Sequence, residues 1–257
     1  MEKVTAIYFS PTGNSKKYVT LLAEKIALPF DTLDFTKKEN RKNDVIFSKE
    51  DIVLFSAPVY AGRLPNINLF DNVKGNGAYA VCIVTYGNRE YDDALLELKN
   101  ICEQKGFQVV AAAAFIGEHT YSEYVGANRP NEQDDLKIEE LAEYIKSGIS
   151  KNCFEGNKLQ VKGNENYCEH KAIPIIPQPN EKCSQCGSCV RKCPVGAIDG
   201  NTFLTDSTKC ISCFACVKGC TKKAREVKEN GMYSKLVEML ETNLRYVEKE
   251  AEIFLLK

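Results

Sequence analysis

Two cysteine runs constrain this chain more than any other feature. The first is Cys183-x2-Cys186-x2-Cys189-x3-Cys193-Pro194, and the second is Cys210-x2-Cys213-x2-Cys216-x3-Cys220. Every cysteine recurs at an offset of 27 residues, as do Lys182/Lys209 and Ala197/Ala224. Steps of three let three thiolates grip one face of an iron–sulfur cube, while a fourth arrives from the other run. The spacing therefore assigns Cys183, Cys186, Cys189 and Cys220 to one [4Fe-4S] cluster, and Cys210, Cys213, Cys216 and Cys193 to the other. Structural zinc prefers two separated Cys-x-x-Cys pairs. A disulfide framework is disfavoured, because no signal peptide precedes a first strand expected at Lys3, so the expected compartment is a reducing cytoplasm.

The rest of the chain has room for one large and one small domain in 257 residues. No apolar run approaches the roughly 20 residues needed to cross a bilayer, so no membrane partner is expected. The formal charge of −1 understates the loaded protein. Each oxidised cluster with its four thiolates adds about −2, which brings the total near −5. Residues 181–230 carry nine Lys/Arg against five Asp/Glu, an excess that roughly offsets the clusters and disfavours a nucleic-acid patch.

Residues 1–150 alternate strands and helices. Strands are expected at Lys3–Phe9, Phe30–Asp34, Asp51–Ala57, Ala78–Thr85 and Phe107–Ile116. Helices are expected from the loop after the first strand to Leu28, near Asn66–Asn72, over Glu90–Lys105 and over Asn131–Ser150. Five strands interleaved with helices predict an α/β fold with a doubly wound parallel sheet. Ligands of such sheets bind at the carboxyl ends of the strands.

The loop after the first strand is Ser10-Pro11-Thr12-Gly13-Asn14-Ser15. It brings hydroxyls, an amide and a flexible glycine to a helix N-terminus, the ingredients of a monophosphate cradle. It has neither the Walker nor the dinucleotide spacing. An ordinary capped helix start uses the same residue types, so both readings stand on this loop alone. Two further loops carry Tyr and Gly: Pro58-Val59-Tyr60-Ala61-Gly62-Arg63-Leu64-Pro65 and Thr85-Tyr86-Gly87-Asn88-Arg89-Glu90-Tyr91-Asp92-Asp93. Their glycines permit close backbone approach and their tyrosines supply stacking faces for a flat ring.

With these three loops the chain resembles the flavodoxin family, whose phosphate loop reads Ser/Thr-x-Thr-Gly-x-Ser/Thr. Together with the cysteine runs it resembles a bacterial and archaeal family, the "ferrodoxins", in which a flavodoxin-like domain is fused to a two-cluster ferredoxin. Pro58–Pro65 and Tyr86–Arg89 match recurrent motifs of that family. Thr221 departs from it, standing where a non-ligating Pro often follows the last cysteine. The resemblance implies a five-stranded flavodoxin-like sheet over 1–150, a connecting segment over 151–180, a small α+β ferredoxin domain over 181–230 and a C-terminal helix over 231–257. It implies FMN held by Ser10, Thr12, Gly13, Asn14 and Ser15, with Pro58, Val59, Tyr60, Ala61, Gly62, Thr85, Tyr86, Gly87, Asn88, Arg89, Tyr91 and Asp93 around the ring. FMN is expected rather than FAD, since no second nucleotide-binding unit follows.

In the connecting segment, Lys158–Lys162 is compatible with a short extra strand, and the prolines of 173–179 predict a stiff, extended joint. Beyond Tyr233, apolar residues at Leu236, Leu240, Leu244, Val247, Ala251 and Phe254 follow a helical period. Cys82 and Cys102 read as core residues and Cys153 and Cys168 as ordinary thiols. His170 reads as a surface residue, and His119 either faces the flavin or is structural.

The function this predicts is an electron carrier. It would link a redox protein donor or acceptor, such as a reduced ferredoxin or an oxidoreductase, to a downstream acceptor, and it is compatible with a homodimer. A rival reading is a flavin-dependent reductase of a small anionic substrate, using Arg63, Arg89, His119 and Arg129 as cationic groups above the ring. A third reading, a redox sensor without flavin, is opposed by the intact phosphate loop.

Overall fold

Residues 3–151, 153–154, 158–171, 173–228 and 231–256 are described by a computed structural model. The central strands are continuous apolar runs, as strands covered on both faces must be. They are β1 (Val4–Tyr8), β4 (Ile52–Pro58), β6 (Tyr79–Tyr86) and β7 (Gln108–Ile116); β2 (Phe30–Asp34) is a half-polar, partly exposed edge strand beside β1. A minor parallel pair, β3 (Val45–Ile46) with β5 (Val73–Lys74), stands apart from them. Helices α1 (Asn14–Ile26), α2 (Ala94–Gln104) and α3 (Glu132–Lys151) supply the crossovers.

One face of the sheet packs under α1 and α3, the other under α2 and the 64–73 loop. In α1 the buried residues Ser15, Tyr18, Val19, Leu22, Ala23 and Ile26 form a single stripe at helical spacing. Tyr18 anchors it, stacking on Phe115 at 4.5 Å and donating to the Ile116 carbonyl at 2.5 Å.

The five expected strands are present and mutually parallel. Several other expectations need correction. Asn66–Asn72 is not helical. Its Asn and Asp side chains compete for the backbone, and Leu69 and Phe70 plug into the core from an irregular loop. The helix expected from Glu90 begins only at Ala94, because residues 90–93 form the loop at the strand ends. Lys158–Lys162 is not a strand; Leu159 simply packs into the core.

The largest correction is at the C-terminus. Helix α6 (Met232–Leu244) stops early, and β10 (Glu252–Leu255) joins the sheet antiparallel to β7. The sheet is therefore six-stranded, in the order β10-β7-β6-β4-β1-β2. The helical period beyond Leu244 was overridden by an open sheet edge and by Ile253-Phe254-Leu255, a run suited to a strand. Asn88 fixes the break, donating through Nδ2 to the carbonyls of Leu244 (3.3 Å) and Val247 (2.7 Å).

The cysteine-bearing part is a small α+β unit. It holds β8 (Gln178–Pro179), α4 (Ser188–Lys192), α5 (Ala215–Lys218) and β9 (Arg225–Glu226). β8 pairs antiparallel with β9, so the unit starts before the expected boundary at 181. The 27-residue repeat extends to conformation. Gln185 and Ser212, Gly187 and Phe214, and Gly196 and Lys223 are all left-handed at equivalent positions. These residues curl the backbone so that successive thiols face one cavity.

Candidate functional site

Three sites lie in a row: a cleft at the carboxyl ends of the sheet strands, then two thiol-lined cavities. Residues Ser10, Pro11, Thr12, Asn14, Ser15, Pro58, Val59, Tyr60, Ala61, Thr85, Tyr86 and Gly87 line the cleft.

Gly13 starts α1 at φ 101°, with open space where a Cβ would sit, so backbone conformation is what demands glycine there. The Lys16 N–H is taken by Ser10 Oγ at 3.0 Å. Among the described residues, no acceptor meets the N–H groups of Thr12, Asn14 or Ser15, which suits a bound phosphate. The Ser15 hydroxyl is buried and shares a 2.6 Å hydrogen bond with Thr85 Oγ1, so it braces the loop. Asn14 Nδ2 donates to the Glu118 carbonyl at 3.0 Å, tying the loop to the end of β7.

Six of the residues expected around FMN stand outside the cleft lining: Gly13, Gly62, Asn88, Arg89, Tyr91 and Asp93. Gly62 shapes a tight turn in which Tyr60 and Arg63 exchange backbone hydrogen bonds; Ala61 and Gly62 both have positive φ. Arg89 pairs with Asp92. Tyr91 is in the core. The Asp93 carboxylate accepts from the N–H of Asn164 (2.8 Å) and of Cys168 (2.7 Å), fastening the connecting segment over α2.

The cations proposed to face a substrate are also committed elsewhere. Arg63 makes a bidentate pair with Glu97, both contacts at 2.8 Å, donates to the Cys168 carbonyl at 2.6 Å and lies over the Tyr167 ring. Arg129 pairs with Asp134 and donates to the Lys249 carbonyl. His119 does line the cleft, packed on Gly87, where a Cβ would approach its ring to 2.3 Å. Its Nδ1 accepts from the Tyr121 N–H at 3.1 Å. Burial, then the charges of Lys218 and Arg89, pulls its pKa down to about 4, so it is neutral near pH 7.

Sequence reasoning set Glu118, Thr120 and Tyr121 in a loop at the ligand edge, but did not place Ile173, Ile211 and Ser212 in the cleft wall. The last three come from the cysteine-bearing half and its approach, and only the docked arrangement reveals them. Tyr121 makes the junction: its hydroxyl donates to the Ser212 carbonyl at 3.1 Å and its ring meets Phe214 edge-on at 4.7 Å. Arg41 Nη2 reaches the Pro194 carbonyl at 2.5 Å, and Lys218 pairs with Glu118. The Tyr60 phenol is pushed well above its usual pKa by burial, then by the Cys213 thiol, Tyr121 and Cys210. Tyr60 thus lines the cleft on one side and faces the second cysteine run on the other.

The thiols divide between two cavities in the crossed pattern. Cys183, Cys186, Cys189 and Cys220 line one of about 560 Å³. Cys193, Cys210, Cys213 and Cys216 line the other, of about 320 Å³. Among the described residues, no three Cys, His, Asp or Glu side chains are grouped as ligands of a single metal ion would be. The cysteines instead stand around cavity walls. Backbone N–H groups point at the sulfurs: Ala197 to Cys193 (3.2 Å), Ala224 to Cys220 (3.3 Å) and Ser212 to Cys210 (3.4 Å). Such bonds stabilise thiolate charge.

Arg225 supplies a second test of fit. It is 3% exposed and lines the first cavity, and its charge acts on Cys210 and Cys216 of the second. Its guanidinium donates to the carbonyls of Phe203 (2.6 Å) and Pro177 (2.8 Å) and to Thr205, while its Nε has no partner. None of these is a carboxylate. A buried cation needs a nearby negative charge, and iron–sulfur cages on either side would provide it.

A flavodoxin from the domain Archaea is 13% identical, covering 58% of this chain and 99% of its own, with a TM-score of 0.41. The Streptococcus pneumoniae TIGR4 flavodoxin is 15% identical, covering 55% and 95%, at 0.39. A Fusobacterium nucleatum flavodoxin mutant bound to flavin mononucleotide is 16% identical, covering 60% and 98%, also at 0.39. No curated protein matches. The flavodoxin domain model matches residues 5–131, and the 4Fe-4S dicluster domain model matches residues 176–221. The chain is a flavodoxin/ferredoxin fusion, a flavin and iron–sulfur redox protein.

Proposed function

We propose that this protein carries electrons between two [4Fe-4S] clusters and FMN, linking a one-electron protein partner to a downstream acceptor. Bound, the clusters supply one-electron steps and FMN takes up one or two electrons, so together they gather or split pairs. The chain's contribution is to hold these groups close and dry. The supporting observation is the shared wall: Tyr121 bonds Ser212 and packs on Phe214, and Ile211, between Cys210 and Cys213, lines both the flavin cleft and the inner thiol cavity. The N–H groups of Thr12, Asn14 and Ser15 would receive the phosphate. Tyr60, Tyr86 and the Gly87–His119 contact would bound the ring.

The reductase reading has lost its main support, because Arg63, Arg89 and Arg129 are all spent in ion pairs outside the cleft. Anaerobically purified protein is expected to carry about eight irons, eight labile sulfides and one FMN. Cys193→Ser is expected to damage the cavity of Cys210, Cys213 and Cys216 and spare the other. Stoichiometric zinc without labile sulfide, or loss of the opposite EPR signal, would overturn the assignment.

A further inference from the structure

We propose that the mouth of the outer thiol cavity is the docking surface for an acidic one-electron carrier protein. This rests on the reading of the Cys183, Cys186, Cys189 and Cys220 cavity as a cluster site. Of the two sets, only this one presents an exposed cysteine, Cys186; Cys213 of the inner set is buried. An electron from another protein therefore has its shortest route at the outer cavity.

Lys192 and Lys222 line this cavity. Lys192 also lines an adjoining cleft of about 940 Å³ between the two halves of the chain, together with Lys37, Lys38, Arg191 and Lys218. Five cations there face two carboxylates, Asp34 and Glu39. Lys37, Lys38 and Lys222 are exposed and make no ion pair among the described residues. The basic rim thus runs from the outer cavity into the cleft beside the phosphate loop. Its sign is opposite to the formal charge of the chain and to that of a loaded cluster.

Such a surface steers and orients a partner of opposite sign while holding it weakly enough to leave. A carrier docked there would lose one electron and this chain would gain it, with no bond or proton moved. A concave rim shared by two domains fits a protruding acidic face better than a flat lattice of phosphates.

The test is calorimetric titration of the loaded protein with an acidic two-[4Fe-4S] ferredoxin, both fully oxidised, so that binding is read without electron transfer. Replacing Lys37, Lys38, Lys192 and Lys222 together with Gln is expected to weaken binding about tenfold or more, and added salt to weaken wild-type binding similarly. A Lys137→Gln/Lys146→Gln control on α3 is expected to bind as wild type. Binding indifferent to both salt and the fourfold change would overturn the proposal. So would tighter binding of a basic carrier such as a cytochrome c, of an oligonucleotide, or of ATP in place of ferredoxin. Failure of the electron-carrier reading is separable: it would appear as missing iron and sulfide in the same preparation, whatever the isotherm.

Discussion

At the scale of single residues, position in the fold decides which chemistry a side chain can offer. Arg63 sits in a motif beside a flavin-type cleft, yet its guanidinium locks the connecting segment to α2 through Glu97. Both partners are 11% exposed. Arg63→Ala would leave Glu97 buried with the Leu64 N–H and, 4.0 Å away, His170 Nε2, a loss of about 3–5 kcal/mol. Its urea midpoint, followed by flavin release, should fall clearly while FMN affinity under native conditions stays near wild type. Loss of FMN binding without loss of stability would return Arg63 to the cleft. Arg225 is the opposite case. Its counterpart in the 27-residue repeat is Ile198, so nothing in the residue types announces a role. Only burial between two thiol cavities does. Arg225→Met should shift reduction of the clusters to lower potential, most for the inner one, and Arg225→Lys should shift it less. Potentiometry with EPR detection checks this, and equal potentials in all three proteins would refute it. Phe214 occupies the position where the first repeat has Gly187, left-handed at φ 57°. A bulky residue there costs on the order of 1 kcal/mol, a cost offset by its contact with Tyr121. Cysteine spacing was legible because it needs no tertiary context, whereas the partners of Arg63 and Arg225 are 20 and more residues away in sequence.

At the scale of elements, the apolar strand runs and the α1 stripe were readable because each buries a face by a local pattern. The C-terminal strand was not. Leu236 to Phe254 keeps helical spacing throughout, and what ends α6 is Asn88, more than 150 residues earlier in the chain. β10 covers the row Ala111–Ala114 of β7 and places Phe254 and Leu256 against the core. A chain truncated after Lys249 should therefore lose several kcal/mol, from two apolar side chains at about 1.5–3 kcal/mol each. It should also associate through the bared β7 edge. Thermal unfolding and light scattering measure the two effects, and a monomeric truncation with unchanged Tm would show that β10 is dispensable. The phosphate loop shows partial legibility. Its position and Gly13 were evident from sequence, but the hydrogen bond of the Ser15 hydroxyl to Thr85, 70 residues away, was not.

At the scale of the whole molecule, the arrangement is linear: basic rim, outer thiol cavity, Arg225, inner thiol cavity, Tyr60 and Tyr121, flavin cleft. Cys213 of the inner cavity is buried and Cys193 borders the basic cleft, while Cys186 of the outer cavity is exposed, so the flavin cleft and the outer mouth are the two ends of the proposed route. The junction is held by Arg41 to Pro194, Tyr121 to Ser212 and Lys218 to Glu118. The most direct measurement is stopped-flow reduction of loaded protein with less than one equivalent of a one-electron donor, following cluster and flavin absorbance separately. The clusters should be reduced first, and the flavin should then be reduced at the clusters' expense with a first-order rate that does not change on diluting the protein. Flavin reduction that slows in proportion to dilution, or that proceeds unchanged in a Cys193→Ser protein lacking the inner cluster, would contradict the shared-wall account.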